Sequence, residues 1–310
     1  MLLKDYYHST KMKRKLLSGL LIISVLFISA CQSNNRDSEK KSITVSILPQ
    51  KYFVQSLIGD KLNINVMVAP GASPASYEPT PRQMAELTQS DLYLMMGHLG
   101  FEEAWIPRIE KTNPDLKIID LSSGITLLGE ESEEEHGADE SDEHHHGVDP
   151  HIWMSPKQAK KIVQNTASAL IKYEESCKDL ILQKRDSLIG LIDDLDQRYS
   201  AAMDLIQNRK FIIFHPALTY LANDYQLEQI AMEFEGKEPS PSYFKSIVDR
   251  AKSENIGLLF IQKEFDIENA KQMAREIGAE LIQIDPLDED WFEQMEDILE
   301  KLKMLDKRAG

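Results

Sequence analysis

The chain has 310 residues and a formal net charge of −16, from 51 acidic and 35 basic side chains. A charge of this sign argues against nucleic acid as a partner, because nucleic-acid binding requires a basic face. The chain has only two cysteines, Cys31 and Cys177, which are too few and too different in their surroundings for a cysteine zinc cluster.

The N-terminus is typical of an exported protein. Four basic residues between positions 11 and 15 precede the apolar run 16–30, which has the length of a signal-peptide core and is too short for a membrane span. The small residues before Cys31 are similar to a bacterial lipobox. We therefore expect residues 1–30 to be a signal peptide, and residues 31–41 to be a tether with lipid on Cys31. The alternative is an ordinary signal peptide followed by an incidental cysteine.

Residues 42–150 alternate between strand patterns and helix patterns. Period-2 alternation rich in β-branched residues predicts strands, and Thr80-Pro81 is a typical helix start. The predicted strands are 42–48, 62–68, 92–96 and 116–120, and the predicted helices begin near residues 50, 80 and 101. This alternation predicts a parallel sheet that is covered by helices.

An unusual segment, residues 130–147, ends this first half. It contains nine acidic residues and four histidines, His136, His144, His145 and His146. Because it has no apolar periodicity, we expect a mobile loop. Imidazole suits Zn²⁺ and its neighbours in the transition series, and carboxylates suit harder ions. The composition therefore favours a loop that collects metal weakly, although a solvated acidic insert would look similar.

Helical spacing begins at Ser155-Pro156 and continues to about residue 208, with Gly190 as the one place where the helix could bend or split. A single straight helix of this length would span about 75 Å. After it, strand and helix patterns alternate again, with strands at 210–214, 229–231, 257–261 and 280–284. We therefore predict an α/β fold of two lobes, each a mainly parallel sheet flanked by helices, joined by a long backbone helix. The boundaries are 42–150 for the N-terminal lobe, 151–208 for the linking helix and 209–310 for the C-terminal lobe.

Several candidate metal ligands occupy comparable positions. His98, His215 and Asp285 each follow a predicted strand, and His151 lies just before the predicted long helix. Each of them alone could have a purely structural role. Ligands of open parallel sheets bind beyond the carboxyl ends of the strands, so these side chains are expected at one rim. Three or four nitrogen and oxygen ligands would suit tetrahedral Zn²⁺.

Motifs around these residues resemble those of the zinc and manganese solute-binding proteins of bacterial ABC importers. The motifs are Asp149-Pro150-His151-Ile152-Trp153-Met154-Ser155-Pro156, Phe214-His215-Pro216-Ala217 followed by Tyr220, Glu235–Ser240 and Pro70–Thr80. They occur in the family's order over nearly all of residues 42–305. The resemblance implies two lobes with a metal site in the cleft, and delivery of the metal to a membrane permease. It also implies a location in the periplasm or at the cell exterior, and we expect a monomer.

The resemblance also assigns ligands by position. His151 and His215 match family ligands, and Asp285 matches a position that supplies a carboxylate in many members. Manganese-preferring relatives tend to have glutamate at the position of His215. The imidazole at this position, together with the His-rich loop, therefore favours zinc as the transported ligand.

One position departs from the family pattern. The family's first ligand is a histidine at the position of Ala75, and a methyl group cannot coordinate metal. We expect His98 to take its place, with Glu78 as the second candidate. A water molecule in the fourth position is the remaining alternative.

Two other functions are compatible with parts of the sequence. A zinc-dependent hydrolase also uses three protein ligands and an open position, but no His-Glu-x-x-His motif and no recognisable serine or cysteine nucleophile is present. An adhesin or binding lipoprotein for manganese or another divalent metal would have the same anchor. The prediction is a non-enzymatic protein that captures Zn²⁺ between two lobes and delivers it to an ABC permease.

Overall fold

The computed structural model describes residues 40–129, 147–233 and 239–308. The predicted signal peptide, Cys31, the loop histidines His136 and His144–His146, and most of the 235–240 motif lie outside these ranges. Residues 41–310 form one compact unit. In the parts of the chain that are described, no helix combines the length and the apolar composition needed to cross a membrane.

The N-terminal lobe is a four-stranded parallel sheet with helices between its strands. The strands, β1 (Ser42–Val45), β2 (Asn63–Val66), β3 (Leu92–Met95) and β4 (Lys117–Asp120), are arranged in the order β2-β1-β3-β4. The helices are α1 (Leu48–Ile58), α2 (Pro81–Leu87) and α3 (Gly100–Thr112). Thr80 caps α2 by accepting a hydrogen bond from the backbone N–H of Gln83, as its sequence predicts.

The segment between the lobes is two helices, α4 (Pro156–Tyr173) and α5 (Lys178–Leu205), separated by a 3₁₀ turn at Glu175–Cys177. The predicted long helix is therefore present and is split in two, but not at Gly190. The break falls at Glu174, where φ is −133° and ψ is 74°. Gly190, the expected weak point, lies inside α5.

Packing explains the break. After the turn, α5 folds back on α4 and the two helices bury side chains such as Ile162 and Ile192. In one straight helix these side chains would be exposed to water. Polar contacts stabilise the turn, since the Ser176 hydroxyl donates to the Glu174 carboxylate at 2.5 Å and Lys41 Nζ forms an ion pair with it at 2.7 Å.

The C-terminal lobe repeats the architecture of the first. Its strands, β5 (Lys210–Ile213), β6 (Glu228–Ala231), β7 (Leu258–Gln262) and β8 (Glu280–Ile284), form a parallel sheet in the order β6-β5-β7-β8. Its helices are α6 (Thr219–Tyr225), α7 (Pro241–Ser253), α8 (Ile267–Ile277) and α9 (Trp291–Leu302). The predicted fold class, two parallel α/β lobes joined by a backbone helix, is confirmed.

Two apolar cores hold these layers together. The larger core runs from the N-terminal sheet through α4 and α5 to one face of the C-terminal sheet, where it includes Phe211 and Phe260. The smaller core lies on the other face of that sheet and includes Ile212 and Leu259. This alternation along β5 and β7 buries both faces, as expected of a parallel sheet. It leaves the carboxyl edge of the C-terminal sheet as the place for polar side chains.

Candidate metal centre

The structure brings two of the predicted ligands, His151 and His215, together. Their ring centroids are 5.2 Å apart and the ring planes are inclined at 73°. Two imidazoles on one tetrahedral zinc, with Zn–N bonds of about 2.0 Å, would have ring centroids about 5 Å apart. The observed separation therefore fits two ligands of a single ion.

Each imidazole is oriented by a buried carboxylate. Asp149 Oδ1 lies 2.9 Å from His151 Nδ1 and also accepts the backbone N–H of His151 at 2.7 Å. Glu233 Oε2 lies 3.1 Å from His215 Nδ1. Such contacts favour the tautomer that carries its proton on Nδ1 and leaves Nε2 for a metal. This pairing of a carboxylate with a histidine is typical of metal sites.

The electrostatics of Asp149 are those of an ionised group. Burial acts to raise the pKa of Asp149, but the charge and the hydrogen bonds of His151, together with Thr219, outweigh it and lower the pKa. Asp149 therefore stays a hydrogen-bond acceptor for the imidazole. An ionised carboxylate can only accept hydrogen bonds, so it faces a ring nitrogen that carries a proton.

The segment that carries His151 is attached to the C-terminal lobe. Trp153 Nε1 donates to the carbonyl of Pro286 at 2.7 Å, and Trp291 Nε1 donates to the carbonyl of Trp153 at 2.7 Å. The Tyr220 hydroxyl donates to the carbonyl of Asp149 at 2.8 Å. Because Pro286 directly follows Asp285, these bonds place His151 near the end of β8.

Asp285, the predicted carboxylate ligand, follows β8 and already has partners. Its Oδ2 forms an ion pair with Lys263 Nζ at 2.9 Å, and its Oδ1 accepts the backbone N–H of Leu287 at 3.1 Å. The bond to Asp285 raises the pKa of Lys263. A cation that binds here competes with an ammonium group. Within residues 40–129, 147–233 and 239–308, no three histidine, cysteine, aspartate or glutamate side chains are grouped closely enough to hold one ion as they stand.

His98 lies on a constrained loop next to the loop of Ala75. Its φ is 65°, and Phe101, in the first turn of α3 directly after the loop, donates its backbone N–H to the carbonyl of Pro74 at 3.0 Å. A Cβ atom at Gly100 would lie only 2.4 Å from the carbonyl oxygen of Ala75, so only glycine fits there. The structure gives no hydrogen bond or ring contact that joins His98 to either imidazole among the described residues. Its role as a ligand stays a prediction.

A buried carboxylate, Glu102, holds this loop. It accepts the backbone N–H groups of Met96 at 2.7 Å and Gly97 at 2.8 Å, and it is hydrogen-bonded by the Ser46 hydroxyl. Burial raises the pKa of Glu102 to about 7, although these hydrogen bonds oppose the rise. Glu78, the second candidate for the missing ligand, is exposed.

Sequence reasoning did not single out three carboxylates at this edge, Asp149, Glu233 and Glu264. A positional signal was present for two of them. His215, Glu233 and Glu264 each lie two residues beyond the last residue of a strand, β5, β6 and β7 respectively. The sequence analysis used a position after a strand for His98, His215 and Asp285, but not for Glu233 or Glu264.

Comparison with known proteins gives a consistent result. Residues 43–305 match the family model of the periplasmic zinc-uptake complex component A, ZnuA. The high-affinity zinc uptake system protein ZnuA of Bacillus subtilis is 28% identical over 275 residues, which cover 84% of this chain and 86% of that protein. The zinc-binding lipoprotein AdcA of Streptococcus pneumoniae is 26% identical over 310 residues. That match covers 94% of this chain but 61% of AdcA, so the chain spans less than two thirds of that relative.

A solved structure agrees with these matches. The crystal structure of a ZnuA deletion mutant with zinc bound is 32% identical and has a TM-score of 0.78, covering 86% of this chain and 98% of that one. The family that the motifs resemble is thereby confirmed.

Proposed function

We propose, from the premise that this chain belongs to the family of periplasmic zinc-uptake components A, that it captures Zn²⁺ between its lobes and delivers it to the permease of an ABC importer. Proteins of this family are zinc-binding components of uptake systems and are not enzymes. Capture in the cleft and hand-over to a permease are the proposed steps. The pair of imidazoles with a carboxylate behind each ring is the observation that carries the proposal.

Three ligands are proposed for the ion. His151 and His215 present Nε2, because Nδ1 of each ring faces a carboxylate. Asp285 supplies oxygen after the ion displaces Lys263 from it. Two nitrogen ligands and one oxygen ligand suit Zn²⁺. Copper and nickel also bind such sets well, so affinity alone does not identify the physiological metal.

The fourth position has a candidate in the N-terminal lobe. The position of His98 supports this proposal, because the residues that follow it, Gly100 and Phe101, contact the loop that contains Ala75. The backbone of His98 has a left-handed conformation, and Glu102 accepts the backbone N–H of its neighbour Gly97. Replacing His98 by alanine tests this role directly.

Export, lipid attachment at Cys31 and weak metal collection by the histidines of residues 130–147 complete the proposal. They are supported by the sequence and by the relative AdcA, which is described as a zinc-binding lipoprotein. A protein held at the membrane surface stays close to its permease. We propose that it works there as a monomer.

The zinc dissociation constant of the purified protein tests the capture step. Competition with a chelator should show one tight site, and His151→Ala or His215→Ala should abolish it. Glu103→Gln, which changes an exposed carboxylate of α3, should leave it intact. A tight site that survives both histidine substitutions contradicts the proposal. For delivery, cells that lack the gene should take up radioactive zinc more slowly from zinc-poor medium.

A further inference from the structure

We infer that Glu264 is a further ligand of the same metal, beside His151, His215 and Asp285. The inference rests on the proposed zinc-binding function and adds to it a residue from the C-terminal lobe. Glu264 lies after the strand between β5 and β8, its turn is hydrogen-bonded to both neighbouring strand ends, and one of its carboxylate oxygens is buried without a hydrogen-bond partner among the described residues.

The order of the strands puts Glu264 between two proposed ligands. In the sheet β6-β5-β7-β8, strand β7 lies between β5, which leads to His215, and β8, which leads to Asp285. Glu264 follows β7 by two residues at the same carboxyl edge. Neighbouring strands are about 4.8 Å apart, so the three residues follow the ends of adjacent strands at one edge of the sheet.

The turn that carries Glu264 is attached to the strand ends on both sides. The backbone N–H of Lys263 donates to the carbonyl of Ile284 at 3.1 Å, on the side of Asp285. On the other side, the buried amide of Gln262 donates Nε2–H to the carbonyl of His215 at 2.6 Å and accepts its N–H at 3.3 Å. The backbone of Glu264 is therefore held in place relative to both ligands.

The carboxylate of Glu264 differs from its neighbours in its partners. Asp149 and Glu233 each contact an imidazole, and Asp285 contacts Lys263. Glu264 Oε2 is buried and has no hydrogen-bond partner among the described residues. Leaving a buried carboxylate oxygen without a donor is costly, and a divalent cation removes that cost.

The electrostatic interactions of Glu264 also involve the proposed ligands. Burial raises the pKa of Glu264 and the charge of Asp285 raises it further, whereas the imidazoles of His215 and His151 lower it. Glu264 thus interacts with all three proposed ligands. A cation among the four groups would be attracted by both carboxylates.

The resulting ligand set is two imidazoles and two carboxylates. Its two negative charges balance the two positive charges of a divalent ion. Its carboxylate oxygens are harder ligands than imidazole nitrogens, so the site is harder than one with three imidazoles.

The test compares Glu264→Gln with Glu280→Gln, since Glu280 is the first residue of β8 and lies at the opposite end of the sheet. Loss of residues that only support a ligand lowers metal affinity by about 10–100-fold, so loss of a ligand should lower zinc affinity by about 100-fold or more. The visible absorption of the Co²⁺-loaded protein should also change in Glu264→Gln. Glu280→Gln should match the wild type in both measurements.

Thermal unfolding separates a ligand from a structural residue. The metal-free Glu264→Gln protein should be at least as stable as the wild type, because a buried charge without a partner is removed, but its stabilisation by zinc should fall. Wild-type affinity and an unchanged cobalt spectrum in Glu264→Gln overturn the inference. Loss of stability in the metal-free variant with unchanged affinity does so as well. If His215→Ala keeps the tight site, the proposed function itself fails, whatever Glu264→Gln shows.

Discussion

At the scale of single residues, the carboxylates that contact Nδ1 of the two imidazoles determine which ring nitrogen is free to bind a metal. Asp149 and Glu233 are 2% and 7% exposed, so each is shielded from water and its bond to an imidazole is not weakened by competing solvent. Neither needs to touch the ion in order to affect its binding.

We therefore expect Asp149→Asn and Glu233→Gln each to weaken zinc binding by about 10–100-fold while the ligands remain in place. An amide in either position can also donate a hydrogen bond, which no longer selects the tautomer that leaves Nε2 free. Chelator competition measures the loss, with Glu103→Gln as the control. Unchanged affinity in both variants would show that the carboxylates do not orient the rings.

Glu102 sets a pH dependence of stability. Burial raises the pKa of Glu102 to about 7 from a usual value of 4.5, so the folded state binds this proton more tightly than the unfolded state. The stabilisation is fully present below pH 4.5 and is lost as the pH rises through 7. The shift corresponds to about 3 kcal/mol in the free energy of unfolding.

Urea unfolding of the metal-free protein at several pH values between 4.5 and 8 measures this effect. The wild type should lose stability relative to Glu102→Gln as the pH rises, because the amide does not titrate. The difference between the two proteins isolates Glu102 from other titrating groups. A difference that does not vary with pH would contradict the expectation.

At the scale of elements, the pair α4 and α5 connects the lobes. Helix α5 packs against α1 of the N-terminal lobe, and the Tyr199 hydroxyl on α5 donates to the carbonyl of Met295 on α9 at 2.6 Å. One face of α5 is therefore part of the larger core. The opposite face is in water, as the 55% exposure of Leu191 shows.

Neighbouring residues of α5 allow a matched test. Ile192 is fully buried, and Ile192→Ala should lower the free energy of unfolding by about 2–5 kcal/mol. Leu191→Ala, one position away on the exposed face, should change it by less than about 0.5 kcal/mol. Urea denaturation of both variants gives the comparison. Equal effects would mean that α5 is not anchored through the Ile192 face.

At the scale of the whole molecule, the His-rich segment and the ordered site are separable. Gly129 and Val148 form an antiparallel bridge, and the backbone N–H of Asp149 donates to the carbonyl of Leu128 at 2.9 Å. The residues that flank the segment, Gly129 and Val148, are thus already adjacent. A deletion can be closed by a short link without moving His151.

Calorimetry with Zn²⁺ should find one tight site and further weak sites in the intact protein. Deletion of residues 130–147 should remove the weak sites and keep the tight one, because its proposed ligands lie elsewhere. Loss of the tight site in the deletion variant would contradict the assignment of the tight site to residues outside 130–147.

The proposed lipid anchor gives a prediction for the whole cell. Cys31→Ser should release the protein from the membrane fraction and leave its zinc affinity unchanged, since residue 31 precedes the first strand of the fold. Fractionation followed by immunoblotting checks the location. Persistent membrane association of the variant would indicate a different anchor.

The sequence by itself determined the fold class, the family and the contact between His151 and His215. Strand and helix periodicities are local, and parallel strands bring the residues after them to one edge, so His215 and Asp285 could be placed from the pattern alone. Only the tertiary structure decided where the long helix breaks. The break allows α4 to pack against α5, and that contact joins residues that are distant in the chain.

The position of Glu233 and Glu264 after a strand is a local signal, but it does not show which residues they lie beside. Their relation to His215 depends on the strand order β6-β5-β7-β8, which long-range pairing establishes. Whether a carboxylate oxygen lacks a donor depends on every neighbour around it, and those neighbours come from distant parts of the chain. The order of residues in the chain could therefore not show that Glu233 contacts His215. Nor could it show that an oxygen of Glu264 has no hydrogen-bond partner among the described residues.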